Sequence, residues 1–129
     1  MDDTPTKVVF RQWRTKPYEI IALFPEIPAD LNGYKCSSYM HVGQHGAADY
    51  EGVVAATRPA YPKNLRDTPD DVAAEVDELM REIEGLGYVL ETVRRCTPAM
   101  RRARRDEARR IRFHNQGGDT EADTILAGA

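Results

Sequence analysis

Hydrophobic and polar positions near the start of the chain follow the patterns of β-strands. Residues 7–14 (KVVFRQWR) are rich in β-branched and aromatic side chains and predict a strand. Pro17 presets one backbone dihedral, so residues 15–18 predict a turn. Residues 19–24 (EIIALF) are almost wholly apolar and predict an interior strand. Pro25 and Pro28, which have no N–H to donate to a ladder, are expected to stop it. Asp30, Leu31, Asn32 and Gly33 predict a second turn, since Asn-Gly readily supplies positive φ. Residues 34–42 (YKCSSYMHV) then alternate: Tyr34, Cys36, Ser38, Met40 and Val42 share one face, and Lys35, Ser37, Tyr39 and His41 the other.

Beyond them, Gly43 to Gly46 predict a loop, Ala47 to Ala56 a brief helix, and Pro59 and Pro62 a connection. A long helix follows. Thr68 suits its N-cap, Pro69 its first position, and Asp70 and Asp71 the positive end of its dipole. Val72, Val76, Leu79, Met80, Ile83 and Leu86 recur at spacings of three and four, so they share one apolar face. Gly87 is expected to end the helix, and Tyr88 to Val93 predict a final strand. Thr97 and Pro98 then open a C-terminal helix over residues 99–113. The expected fold class is α+β. It is a small, mainly antiparallel sheet in the order β-β-β-α-α-β, with the long amphipathic helix on one face and a basic helix appended. Residues 1–6 are expected to be disordered, 7–96 a compact domain, 97–114 the basic helix, and 115–129 a disordered polar tail.

Charge changes this picture. The net charge of −3 conceals an asymmetry, for nine of fourteen arginines lie between Arg94 and Arg112, opposed there only by Asp106 and Glu107. That segment carries +7, which leaves −10 on the remainder. On a helical wheel Arg101, Arg105 and Arg112 fall within about 40° of one another, with Arg102 and Arg109 beside them. Guanidinium forks on one face suit the phosphates of nucleic acid or the carboxylates of an acidic protein surface. The same helix can instead pack on its own acidic body or pair with another copy in a homo-oligomer. Only Phe113 is at hand for base stacking. The helix's apolar stripe, Met100, Ala103 and Ile111, is too thin for lipid insertion, and no run approaches a bilayer span. The acidic N-terminus lacks the pattern of a signal peptide, which favours the cytoplasm and reduced thiols at Cys36 and Cys96.

The candidate chemistry lies in SYMHVGQHGAADY, residues 38–50, which gathers Tyr39, His41, Gln44, His45, Asp49 and Tyr50 around two glycines. Backbone-permissive residues with clustered polar groups suit a binding loop. They also suit a tight loop whose side chains satisfy backbone groups. His41 and His45 can be combined with Cys36 and Cys96 as metal ligands. However, Cys36 and His41 point to opposite faces of a regular strand, and no closely spaced ligand pair supports zinc. No nucleophile elbow, phosphate-binding loop or paired-carboxylate pattern is present, so the residues indicate no catalytic set, metal or cofactor. Trp13, the single tryptophan, suits packing on a strand or, beside Arg11 and Arg14, an interface anchor.

The segments VVFRQW, EIIALFPEIP, SSYMHVGQHGAADY, TRPA and ELMREIEGLGYVL resemble an uncharacterised family of small proteins of bacteria and of their phages and plasmids. The resemblance covers residues 7–93 and implies a domain that stands without the basic tail. It carries over no catalytic or ligand residues. Its association with mobile elements implies a protein that binds and inhibits or adapts a host protein complex through the acidic helix and histidine loop. From the residues themselves, the leading expectation is a non-enzymatic binding protein. It would contact nucleic acid or an acidic partner through Arg101, Arg102, Arg105, Arg109 and Arg112. A small hydrolase or metal-dependent enzyme ranks below both.

Overall fold

A computed structural model describes residues 4–41, 44–63 and 68–114. The disorder expected of residues 1–3 and 115–129, and the positions of Val42 and Gly43, lie outside that description. The elements run β1 (Thr6–Trp13), β2 (Ile20–Pro28), β3 (Cys36–Met40), β4 (Gln44–Ala48), α1 (Tyr50–Ala56), β5 (Thr57–Pro59), α2 (Asp70–Glu84), β6 (Leu90–Thr92) and α3 (Pro98–His114). The sheet has the order β4-β3-β2-β1-β5, and β6 also joins β1. Among the described residues every pairing is antiparallel except that of β6 with β1. The fold class is α+β.

β2 is buried on both faces, which explains its unbroken apolar run. On one side Val8, Phe10, Ile20, Ala22, Phe24 and Tyr39 meet Val76, Leu79 and Ile83 of α2. The predicted stripe of α2 is thus the lid of this core, and each fully buried aliphatic side chain contributes about 1.5–3 kcal/mol. On the other side Val9, Ile21, Leu23, Cys36 and Ala48 pack with Trp13, Tyr50, Val53 and Val93. Trp13 therefore packs rather than standing free.

Several elements differ from the expected pattern. β4 occupies the predicted loop and helix start, because β3 recruits it in register, Tyr39 opposite His45 and Met40 opposite Gln44. A Gln-His-Gly-Ala-Ala segment has little strand propensity of its own, and the ladder overrides it. β5 has no counterpart in the expected pattern either. Buried Arg11 holds it, donating to Thr57 Oγ1 (2.9 Å) and to the carbonyls of Val54 (3.0 Å) and Thr57 (2.9 Å). Thr6 already belongs to β1, so order begins before the expected boundary at residue 7. Helix α2 starts at Asp70 with extended Pro69 as its cap, without a side-chain cap from Thr68. It stops at Gly85, before Gly87, and Leu86 is left exposed.

Pro25 does not stop β2 but lies inside it, at an irregularity, and the strand ends at Pro28. Pairing with β3 jumps from Phe24↔Ser37 to Pro28↔Cys36. A shifted register interrupts the regular ladder there, and the Pro25 carbonyl accepts instead from a side chain of α3.

Candidate nucleic-acid interface and histidine site

Helix α3 is capped by Thr97, whose Oγ1 accepts the Met100 N–H at 3.2 Å. It packs against β2, and the β2–β3 turn determines which of its faces is buried. Arg104, only 3% exposed, spreads its guanidinium over that turn. Its Nε donates to the Gly33 carbonyl at 2.7 Å, Nη1 to the Pro25 carbonyl at 3.0 Å and Nη2 to the Tyr34 carbonyl at 3.3 Å. Nη1 also lies 3.9 Å from Cys96 Sγ. Ala108, one turn further on, is fully buried. Gly33, at φ +72°, permits the close approach, since a Cβ there would sit 2.8 Å from Arg105 Cα.

This docking divides the predicted arginine stripe. Ala108 lies about 20° from Arg101 on the wheel, so Arg101 and Arg112 flank the buried side. Arg112 donates to the Leu31 carbonyl and to Asn32 Oδ1, while Arg101 is 4.0 Å from Glu51 of α1. Arg102, Arg105 and Arg109 are exposed. Arg105 lies with its guanidinium 5.1 Å from the centroid of the Tyr34 ring. Arg109 is 3.8 Å from Asp106. Arg110 pairs with Glu107, and its hydrogen bonds hold that carboxyl below the usual range against the opposing effect of burial. α3 thus meets the body through backbone carbonyls of β2 and the β2–β3 turn, through Asn32 and Tyr34, and through Glu51 of α1.

The predicted histidine loop is also divided. Tyr39 lies on the sheet's α2 side, where its Oη donates to Glu82 Oε1 at 2.5 Å. His41 Nδ1 lies 3.1 Å from Glu82 Oε2, and the His45 ring stands edge-on to Tyr39 at 4.8 Å. His41, with 64% of its side chain exposed, borders a cleft of about 310 Å³ whose lining includes Ile20, Leu79, Glu19, Glu75 and Glu78. Gln44 is exposed on β4. Asp49 and Tyr50 belong to the other side. Asp49 caps α1 without a side-chain hydrogen bond, and Tyr50 Oη accepts the Cys96 N–H at 2.8 Å. Both border a hollow of about 210 Å³ shared with Tyr34, Arg101 and Arg105.

Sequence reasoning missed Arg104, Gly33 and Tyr34 as members of these sites, and it placed Glu82 on the acidic helix without its ties to Tyr39 and His41. Glu82 carries a faint signal, because it precedes Ile83 and so lies at the edge of the α2 apolar face. Arg104 carries none among so many arginines. Among the described residues no three His, Cys, Asp or Glu side chains converge as metal ligands, and no helix is long and apolar enough to cross a membrane.

Cys36 and Cys96 are buried free thiols. Burial pushes the Cys36 thiol from its ordinary 9.0 up to about 11, although Arg104 pulls the other way. Burial raises the Tyr50 phenol as well. Between pH 9 and 11 the unfolded chain releases the Cys36 proton while the folded chain keeps it, so stability falls as pH rises through that window. The loss from Cys36 is about 2–3 kcal/mol once pH exceeds both values. Urea unfolding of wild type and Cys36→Ala at pH 7.5 and at about pH 10.5 checks this: the variant should lose distinctly less stability on going alkaline.

Comparison of the chain with protein-family profiles, with curated proteins and with solved structures gives no match.

Proposed function

We propose that this chain is a non-enzymatic binding protein whose α3 contacts the phosphate backbone of nucleic acid. One observation carries the reading. Buried Arg104 anchors α3 in a single rotation, which leaves Arg102, Arg105 and Arg109 together on the solvent side. Guanidinium groups held in advance lose less freedom on meeting phosphate than the same groups on a free tail. An acidic protein surface offers related chemistry but lacks the regular phosphate spacing of a polymer.

The test compares the full chain with the Arg102→Ala, Arg105→Ala, Arg109→Ala triple variant. Binding to mixed-sequence RNA and to duplex DNA is measured across a salt series. The triple variant should bind at least roughly tenfold more weakly, with a salt slope shallower by about 2–3, given roughly 0.9 per phosphate contact. Truncation at residue 96 is a poorer test, since it strips Arg104 from the carbonyls of Gly33, Pro25 and Tyr34. No binding by wild type near physiological salt would end this reading.

It would also turn attention to a second one, capture of a host protein complex by the acidic α2 surface and the histidine site. That alternative draws support from the Glu82 bridge, which ties His41 to α2 beside a cleft bearing Glu19, Glu75 and Glu78.

A further inference from the structure

Among the described residues, Tyr34 and Phe113 are the aromatic side chains exposed beside the arginines of α3. Tyr34 is 61% exposed and Phe113 77%. Their placement has different origins. Tyr34 belongs to the turn that Arg104 grips, and its own carbonyl accepts from Arg104 Nη2 at 3.3 Å. Its backbone is therefore fixed while its ring lies outside, with the Arg105 guanidinium 5.1 Å from the centroid. Phe113 sits in the last turn of α3 and borders an open hollow of about 420 Å³ with Asp106, Arg109 and Arg110. Eight residues separate Arg105 from Phe113, a rise of about 12 Å along the helix, and Arg109 lies midway.

We infer that this surface takes single-stranded nucleic acid, with unpaired bases stacked on Tyr34 and Phe113 and the intervening phosphates on Arg105 and Arg109. The inference rests on the reading of α3 as a nucleic-acid contact and adds the class of strand. A duplex hides its base faces in its own stack, so an exposed ring offers it nothing. An unpaired base has a π-face free, and stacking on an aromatic side chain is tolerant of sequence. Arg105 lies over one face of the Tyr34 ring, so a base stacks on the opposite face while the guanidinium brings charge to the adjoining phosphate.

The experiment uses the full chain and fluorescence anisotropy with three probes: a labelled mixed-sequence single strand, the same sequence as a duplex, and inorganic polyphosphate as competitor. Wild type should bind the single strand roughly tenfold more tightly than the duplex. Tyr34→Ala and Phe113→Ala should each weaken single-strand binding roughly tenfold, leave duplex binding and the salt slope unchanged, and unfold at the wild-type urea midpoint. Tyr34→Phe, which keeps the ring, should behave as wild type. Equal affinity for strand and duplex, or alanine variants that bind the strand as wild type does, would overturn the inference while the charge-based reading stands. No binding to any probe would remove both.

Discussion

Arg104→Ala will destabilise the folded protein by about 2–5 kcal/mol, the range expected when the shared donor of several buried carbonyls is deleted. The guanidinium donates to the carbonyls of Gly33, Pro25 and Tyr34. Alanine would leave the buried bonds to Gly33 and Pro25 without their donor, and each buried orphan costs about 1–3 kcal/mol. The irregularity in β2 adds to the loss, because Pro25 has no regular ladder partner to fall back on. Arg104→Lys should recover less than half of the deficit, since an ammonium cannot reproduce a planar fork aimed at three acceptors. Urea unfolding followed by far-ultraviolet circular dichroism reads both variants. A loss under about 1 kcal/mol would mean that α3 and the sheet are energetically independent.

The second large effect is expected at the other side of the same contact. Gly33→Ala should cost about 2–4 kcal/mol, combining a left-handed backbone with overpacking. The new Cβ would lie 2.8 Å from Arg105 Cα and 3.0 Å from the Arg104 carbonyl oxygen, both main-chain atoms that cannot swing aside. Gly87→Ala is the internal control. Gly87 also has positive φ, +105°, but nothing lies within 4 Å of its added Cβ. Its cost should therefore be the conformational part alone, about 1–2 kcal/mol. Equal losses at the two glycines would show that α3 yields to the added methyl group, and would weaken the account of α3 as a rigidly seated platform. Thermal or urea unfolding of the pair decides it.

These contacts show where the sequence is a good guide and where it is not. Val76, Leu79 and Ile83 announce their face because helical periodicity is a local property, and the sheet receives them as expected. The alternation around Cys36 and Tyr39 is local too, and those residues do enter opposite cores. β4 is illegible because its pairing is imposed by β3. Pro25 misleads because a proline stops a regular ladder but is compatible with an irregular one, whereas β2 does end at Pro28. In α3 arginines surround so much of the helix that the wheel locates charge without locating the docked side. Arg104 and Arg102 are alike in sequence. Only the open carbonyls of β2 and of the β2–β3 turn distinguish the anchor from the exposed group. Glu82 joins Tyr39 and His41 across more than forty residues, a meeting that no local pattern encodes.

The parallel seam between β1 and β6 bears on how the chain matures during synthesis. Thr6 pairs with Leu90 and Val8 with Thr92, so β1 must wait for a segment made roughly eighty residues later. β1 through β4 can assemble as a meander of neighbouring hairpins, at small loop-closure cost. Until β6 arrives, the far edge of β1 near Val8 keeps unmatched backbone groups, and the Pro25 and Gly33 carbonyls stay hydrated until Arg104 is made. A nascent chain paused in that interval exposes a strand edge able to recruit another chain. The arrival of β6 therefore covers that edge, and α3 then supplies the donor that the Pro25 and Gly33 carbonyls await.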